Sequence, residues 1–582
     1  MNYDCLLITL SHKILADSLQ ISALIMMINY RVGKQWSWLF AVYITGASAA
    51  PLSPADRDQL QIQQQNMLQS NQLQRDELQR SVQPEMSDKV TDGQRTDPCF
   101  LIKKIIINNA SLFSAKEKKR VTAPLLGQCI NIAQIEKLTR DISDWYLSRG
   151  YITSRAFIPE QDINSGILTL SVLEGRLQQI RLEKGSSTQL KMAFPRLEGG
   201  ILNLRDIEQG MEQINRLRTT PVQIEILPGD NPGFSIVNLT ATPEFPLTAA
   251  LSFDNSGQKS TGVGQMSASL TANNLLGIAD QWFISGGRSS AFSSSRNARN
   301  LQSGVSVPYG YWLMNYNYSW SDYRNRFENN NFSWLSHGDS QIHRATASWV
   351  AFRNGQSKTA LVAGIDHRIS RNWLNDTLLE SSSRKLTSLQ FGLNHTQKMA
   401  GGVATFNPMF SHGVPWLDAE SDSGKSDDLP KADFRKWSLS SSFQRPLTQN
   451  LWWLSSAYGQ WSPDRLYGSE RLTIGGESSV RGFKEQYLSG DNGGYLRNEL
   501  NYALFTLPLL GQINGLLALD GGWLESDRYD RESSGTLWGG AVGLTSGNRY
   551  FATQLTLGLP VKYPDWLGPD RLSAYYRISL LF

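Results

Sequence analysis

The sequence predicts a transmembrane antiparallel β-barrel of about 16 strands, preceded by two small α/β domains and an N-terminal helix. Three observations predict it. From about Leu247 to the final Phe582, apolar and polar residues alternate with a period of two. The composition, 40% hydrophobic with a mean hydropathy of −0.33, is too polar for a helical membrane protein but suits a wall whose every second side chain faces water. Between about residues 98 and 243, short strand-like runs flank helix-period stretches, and the plan occurs twice.

A chain of 582 residues is too long for one ordinary domain. Its 17 Trp, 20 Tyr and 22 Phe are enough for aromatic girdles at two membrane interfaces. The net charge is only +4, with Lys and Arg interspersed among Asp and Glu, so nucleic acid is not an implied partner.

Residues 1–49 read as a signal peptide. Arg31 and Lys34 precede a short apolar core, Trp36 to Ile44, and Ala47-Ser48-Ala49 is an A-x-A cleavage site. The apolar core is too short to span a bilayer as a helix. The residues before Met26 are unusual for such a leader, so the expected start is Met26 or Met27, an extended n-region being the alternative.

Within 50–80, Ser53-Pro54-Ala55-Asp56 is a helix start: Ser as N-cap, Pro at N1, an acid in the first turn. The run that follows is rich in glutamine and has no strong apolar stripe. A helix polar all round must sit in water or in a polar cavity. About 28 residues at 1.5 Å each give roughly 42 Å, enough to thread a membrane pore. A disordered Gln-rich tail is the alternative. Residues 81–97 read as a flexible linker.

The first α/β unit covers 98–175. Phe100 to Ile107 reads as a strand. Asn131 caps a helix with Ile132, Ile135, Leu138, Ile142 and Trp145 at helical spacing, and Gly150 lies just past its end. Ile167 to Leu173 is a further strand. Cys5 lies in the leader, which leaves Cys99 and Cys129 as an even pair in an exported chain. That reads as one disulfide, two free buried thiols being the alternative. The second unit, 176–243, has a strand Leu177 to Leu182 and a helix capped by Asn203 with Leu204, Ile207, Met211, Ile214 and Leu217 on one face. A hairpin of Val222 to Ile226 and Phe234 to Thr240 completes it. Open sheets of this kind leave free strand edges.

The barrel covers 244–582. Leu247, Leu251 and Phe253 alternate with Thr248, Ser252 and Asp254. In the last strand Ala574, Tyr576, Ile578, Leu580 and Phe582 alternate with Arg571, Ser573, Tyr575, Arg577 and Ser579. An apolar face toward lipid and a polar face toward a lumen is the barrel pattern, so outer-membrane lipids are expected neighbours. Leu504 to Trp523 reads as two strands joined by a tight periplasmic turn, with the turn chemistry at Gly511 to Gly515. One stretch is no strand: Gly475-Gly476-Glu477-Ser478-Ser479-Val480-Arg481-Gly482-Phe483. Its glycines break the ladder, and a cation beside an aromatic on a Gly-bracketed loop suits a loop folded into a polar interior, around 462–494. A solvated surface loop is the alternative.

No HExxH, GxSxG, P-loop or CxxC is present, and the six histidines are scattered. No catalytic, cofactor or metal site is expected, and no enzyme.

The tetrad Val480-Arg481-Gly482-Phe483 resembles the VRGF/Y motif of the Omp85 superfamily, and more specifically of the TpsB transporters of two-partner secretion (ShlB/FhaC/CdiB-like). Pro98-Cys99-Phe100, Cys129, Arg149 to Ala156 and Pro159-Glu160-Gln161-Asp162 resemble the first POTRA domain of ShlB-type transporters, and 176–243 looks like the second. Leu247 to Asp254, Asn255-Ser256-Gly257 and Asn273 to Gly277 resemble the opening strands of TpsB barrels. The resemblance implies that the N-terminal helix plugs the pore. It implies that the chain secretes, and activates in some members, a large TpsA exoprotein such as a haemolysin, an adhesin or a contact-dependent toxin, docked through the POTRA domains. It implies that Phe582 is read by the outer-membrane assembly machinery. It also implies that Arg481 pairs inside the barrel with the aspartate of an F-x-D-type motif. The match here is Ala518-Leu519-Asp520, without the aromatic. Asp520 is therefore the expected partner, with Glu499, inward beside Arg497, as second choice and Phe483 stacked beside the arginine. A barrel-assembly insertase and a passive diffusion porin are the rival readings.

Overall fold

The computed structural model describes residues 52–80, 99–217, 221–242, 244–329, 331–426, 428–527 and 534–582. The leader over 1–49 and the linker over 81–97 lie outside the described residues.

Helix α1 spans Pro54–Gln79. Ser53 caps it in extended geometry, its Oγ accepting from the Asp56 amide at 3.1 Å, and Pro54 supplies the preset first turn.

The first α/β unit is a three-stranded sheet, Lys104–Asn108, Ile167–Leu173 and Arg155–Phe157 in that order. The first pair is parallel and the second antiparallel. Phe100 to Ile107 is not one strand. Ile102 turns in, fully buried, and its amide donates to the Gln128 carbonyl, so Phe100–Leu101 pairs separately with Cys129–Ile130. Cys99 and Cys129 form a disulfide there, their Cα atoms 5.3 Å apart. Helix α2, Ala115–Thr122, carries a Ser114–Glu117 capping box that sequence periodicity did not reveal. Helix α3, Ile132–Ser148, starts at Asn131. Its buried face is Ile135, Leu138, Ile142 and Tyr146; Ile132 is exposed and Trp145 lies at the margin. The 3.6-residue period fits both choices, and tertiary packing selected the tyrosine.

The second unit repeats the plan: Arg176–Glu183 runs parallel to Phe234–Ala241, with Val222–Pro228 antiparallel on the far side. Helices α4, Ser187–Ala193, and α5, Leu204–Asn215, cover one face. Asn203 caps α5, accepting from the Arg205 amide at 2.8 Å. Ile207 and Ile214 are buried in one cluster with Val237 and Leu239, and Leu217 is buried as well.

Sixteen long antiparallel strands close the barrel, from Leu247–Asp254 to Ser573–Leu581, with the short Thr377–Leu378 added to its outer rim. The seam joins the last strand to the first from Arg577↔Asp254 to Leu581↔Ala250. Phe582 and Ala249 extend it by exchanging backbone bonds of 2.8 and 3.0 Å. Parity follows the sequence pattern: Leu251, Tyr576, Ile578 and Leu580 are exposed, whereas Ser573 and Tyr575 are buried in the lumen. The turn after Gly493–Leu507 is Pro508 to Leu510; Gly511 to Gly515 already belongs to strand Gly511–Leu524. A proline ends the ladder more sharply than these glycines do.

The second unit docks on the periplasmic turns. The Gln213 amide donates to the Gly310 carbonyl at 3.0 Å, Gly310 N–H to the Met192 carbonyl at 2.7 Å, and Arg216 to the Ala279 carbonyl at 2.6 Å.

Candidate functional site

Among the described residues the lumen holds two occupants, helix α1 and the loop between strands Leu451–Trp461 and Gly493–Leu507.

The helix meets the wall through polar groups. Near its start the Gln258 amide donates to the Pro54 carbonyl at 3.0 Å and to Asp58 at 2.7 Å. Ser370 donates to Asp56 at 3.1 Å, with the Arg368 guanidinium 3.7 Å from the same carboxylate. Ser319 donates to Gln59 at 2.8 Å, and Arg57 lies over the Tyr487 ring at 4.5 Å. Halfway along, Gln64 donates to the Thr473 carbonyl at 2.9 Å. Further on, Asn71 donates to Ser440 at 2.9 Å and accepts from Asn407 at 2.7 Å, while Arg75 bonds Ser442 and Gln444. At its end, Lys358 of the barrel rim donates to Glu77 at 3.0 Å and to Glu212 of α5 at 2.8 Å. Arg353 pairs with Glu212 and donates to Gln209 at 2.9 Å. Helix, rim and second α/β unit therefore share one ionic cluster. Sequence reasoning missed it, because none of its members has a local spacing that announces the others.

The loop is seated differently. Leu472–Ile474 pairs antiparallel with Leu488–Gly490. Leu472, Ile474, Val480, Phe483 and Leu488 are buried together against Tyr495, Leu524 and Leu537 of the wall. At the tip, Arg481 is 2% exposed. Its Nε and Nη2 donate to the two oxygens of Asp520 at 2.7 Å each, and its own amide donates to that carboxylate at 3.1 Å. Nη1 lies 3.0 Å from Glu499, which Arg497 also holds at 2.8 Å. Arg497 donates to the Ser478 carbonyl at 3.2 Å. Two cations and two carboxylates thus close a neutral network out of water. Bidentate geometry offsets part of the desolvation cost, and removing one member would leave an uncompensated charge.

Asp520 and Glu499 are joint partners rather than alternatives. Ala518 stands directly across the ladder from Glu499. With a methyl there instead of an aromatic ring, the Glu499 carboxylate reaches the guanidinium. Phe483 does not stack on Arg481. Its ring partner is Tyr563, edge-on at 6.1 Å, because the apolar cluster draws the phenyl away from the ion pairs. Gly482 has φ 101°, and a side chain on it would meet the Leu559 backbone at 2.6 Å. Gly539 takes the Arg481 carbonyl, which lies 1.7 Å from where its Cβ would stand. The Trp538-Gly539-Gly540 run inside a strand was the available signal for this close approach.

Comparison with known proteins agrees with this architecture. Residues 233–546 match the family model of the haemolysin secretion/activation protein ShlB/FhaC/HecB, residues 100–175 the ShlB-type POTRA domain, and residues 176–228 a second POTRA domain. The outer membrane transporter CdiB of Escherichia coli is 56% identical over 92% of this chain and 91% of its own length. The CdiB of Dickeya dadantii is 49% identical over 93% and 97%. The solved structure of CdiB from Escherichia coli superposes with a TM-score of 0.89, at 56% identity, over 92% of this chain and all of the other. The chain belongs to the ShlB/FhaC/HecB family, and it is an outer-membrane secretion pore of the two-partner type.

Proposed function

We propose that this pore carries one large unfolded exoprotein from the periplasm to the cell surface, after the two POTRA domains have captured it. The observation that carries the reading is the lumen. Its helix, between the ion pairs at its two ends, is held by serine, asparagine and glutamine contacts that water or a passing chain can replace. Residues 1–49 act as the export leader, 50–80 as the plug, 81–97 as its tether, 98–175 and 176–243 as the two POTRA domains, and 244–582 as the barrel with its inward loop. Val480, Arg481, Gly482 and Phe483, with Asp520 and Glu499, keep that loop seated. Phe582 is the residue offered to the assembly machinery. Capture uses sheet edges. Arg155–Phe157 lies at one edge of its sheet and Val222–Pro228 at an edge of the other. Phe157 and Ile158 are exposed beside the first of these edges. An extended chain can add there through main-chain hydrogen bonds.

The test uses the purified POTRA pair and the N-terminal segment of a large exported β-helical protein, to be sought in the neighbouring reading frame. The pair is expected to retain that segment unfolded and to release it folded. Equal retention of both forms, or of neither, overturns the reading.

A further inference from the structure

On the outer wall, strands Arg296–Tyr309, Trp312–Asn329, Phe332–Arg353 and Ser357–Leu374 carry charges on the face that belongs to lipid. Ser319 and Ser321 bond helix α1 inside the lumen, so by alternation Trp320, Asp322 and Arg324 point outward. Register places Arg299 and Asp339 on either side of Asp322, and Arg371 beyond Asp339. One row up, His337 stands between Arg324 and Trp373.

The height of these rows follows from the apolar residues beneath them. Exposed Tyr309, Trp312, Met314 and Tyr316 mark the lower band, with Trp312 stacked on Trp349 at 6.0 Å. The ten residue steps from Trp312 to Asp322, at the strand rise and a tilt of about 40°, climb about 25 Å, the height of the apolar band. The charged rows therefore sit where hydrocarbon gives way to the outer headgroups. On the far side of the barrel the same boundary carries the exposed aromatics Trp523 and Trp538.

A groove of about 550 Å³ opens sideways between these rows, with Ser293 and Ser294 of the outer loop at its rim. Arg299 grips Asp322 through two nitrogens, Nε lying 2.9 Å from one oxygen, and lies over Trp320 at 5.7 Å. The rings of His337 and Trp373 lie parallel, 5.2 Å apart. Arg299 neutralises Asp322, so Arg324 and Arg371, both exposed, outnumber Asp339 by one charge. Guanidinium forks match phosphate oxygens bidentately, and flat aromatic faces accept sugar rings. We propose that this groove binds the phosphorylated sugar headgroup of an outer-leaflet glycolipid. A lipid-borne and a free phosphate share the chemistry. The sideways opening at the membrane boundary selects the lipid-borne one.

The test uses the full-length protein in detergent, with lipid A, dephosphorylated lipid A and inorganic phosphate as separate probes, read by native mass spectrometry. Native protein is expected to retain one lipid A, and Arg324→Ala/Arg371→Ala to retain it at least tenfold more weakly. Arg324→Lys/Arg371→Lys should recover part of the binding, and Trp523→Ala should bind as the native protein does. Unchanged single-channel conductance shows that each variant barrel is assembled. Equal retention of the dephosphorylated lipid, or native-like retention by the alanine pair, overturns the proposal. So does displacement of lipid A by inorganic phosphate at millimolar concentration, since that would mark a site for soluble anions.

Discussion

The two occupants of the lumen are held by opposite means. The inward loop is seated by a buried apolar cluster and by a desolvated network of Arg481, Asp520, Glu499 and Arg497. Helix α1 buries Ala55, Leu60 and Leu78, but most of its directional contacts go to hydroxyls and amides, with ion pairs at its two ends, Asp56 to Arg368 and Glu77 to Lys358, and Met67 alone of its residues joins the loop's cluster. Each neutral hydrogen bond is worth about 1 kcal/mol net, because water replaces it when the groups separate. A buried ion pair broken on one side costs about 3–5 kcal/mol, because a charge stays behind unpaired. The loop is therefore a fixture and the helix a removable part.

The largest expected effect comes from breaking the fixture. Arg481→Ala leaves Asp520, fully buried, with no side-chain cation, and should abolish most secretion while the barrel still assembles. Asp520→Ala should do less harm, since Glu499 still holds the guanidinium at 3.0 Å. In a secretion assay the double variant should be little worse than Arg481→Ala alone. Fully additive losses would show that the two side chains act separately. Removing residues 54–79 should come next. Single-channel conductance is expected to rise several-fold with secretion retained; unchanged conductance would mean that the helix does not block the bore.

Much of this contrast was legible in the sequence, for physical reasons that differ by element. Barrel strands announce themselves because each alternates between lipid and water, so Leu251 against Ser252 is a local signal. The caps at Ser53, Asn131 and Asn203 are equally local. The ladder partner that turns Glu499 into a second ligand for Arg481 is not, since it depends on register with Ala518 across a hairpin. The cluster joining Glu77, Lys358 and Glu212 spans three domains and leaves no spacing to read. Tyr146 took the core position that Trp145 equally fitted, because helical period fixes a face and not the residue that fills it best.

That three-domain cluster offers a smaller test of the removable part. Lys358→Met takes the shared cation from Glu77 and Glu212, while Arg353 still holds Glu212. The C-terminal end of α1 should loosen without leaving. Conductance is expected to flicker between the native level and that of the helix deletion. A steady native level would show that the polar contacts upstream suffice by themselves.

The smallest expected effect lies in the first POTRA domain, where a polar cluster sits on an apolar core that already holds. Glu174 accepts from Ser111 at 2.5 Å, from the Leu112 amide at 3.0 Å and from the Tyr146 hydroxyl at 2.7 Å. Burial pushes its carboxyl up, but these donors outweigh that and hold it below the ordinary value of 4.5. The folded form thus prefers the charged group. Its contribution is complete above the unfolded value near 4.5 and is lost as the pH falls through the lower folded value. Glu174→Gln should therefore melt slightly earlier at neutral pH and show a flatter loss of stability below pH 4.5, measured on the purified POTRA pair. The core of Ile135, Leu138, Ile142 and Leu168 and the Cys99–Cys129 bridge remain in that variant, so the shift should be far smaller than the loss from Arg481→Ala. An equally large loss would mean that a single carboxylate anchors an apolar-cored domain as firmly as Asp520 anchors the loop, and the distinction between fixture and removable part would no longer follow from the kind of contact.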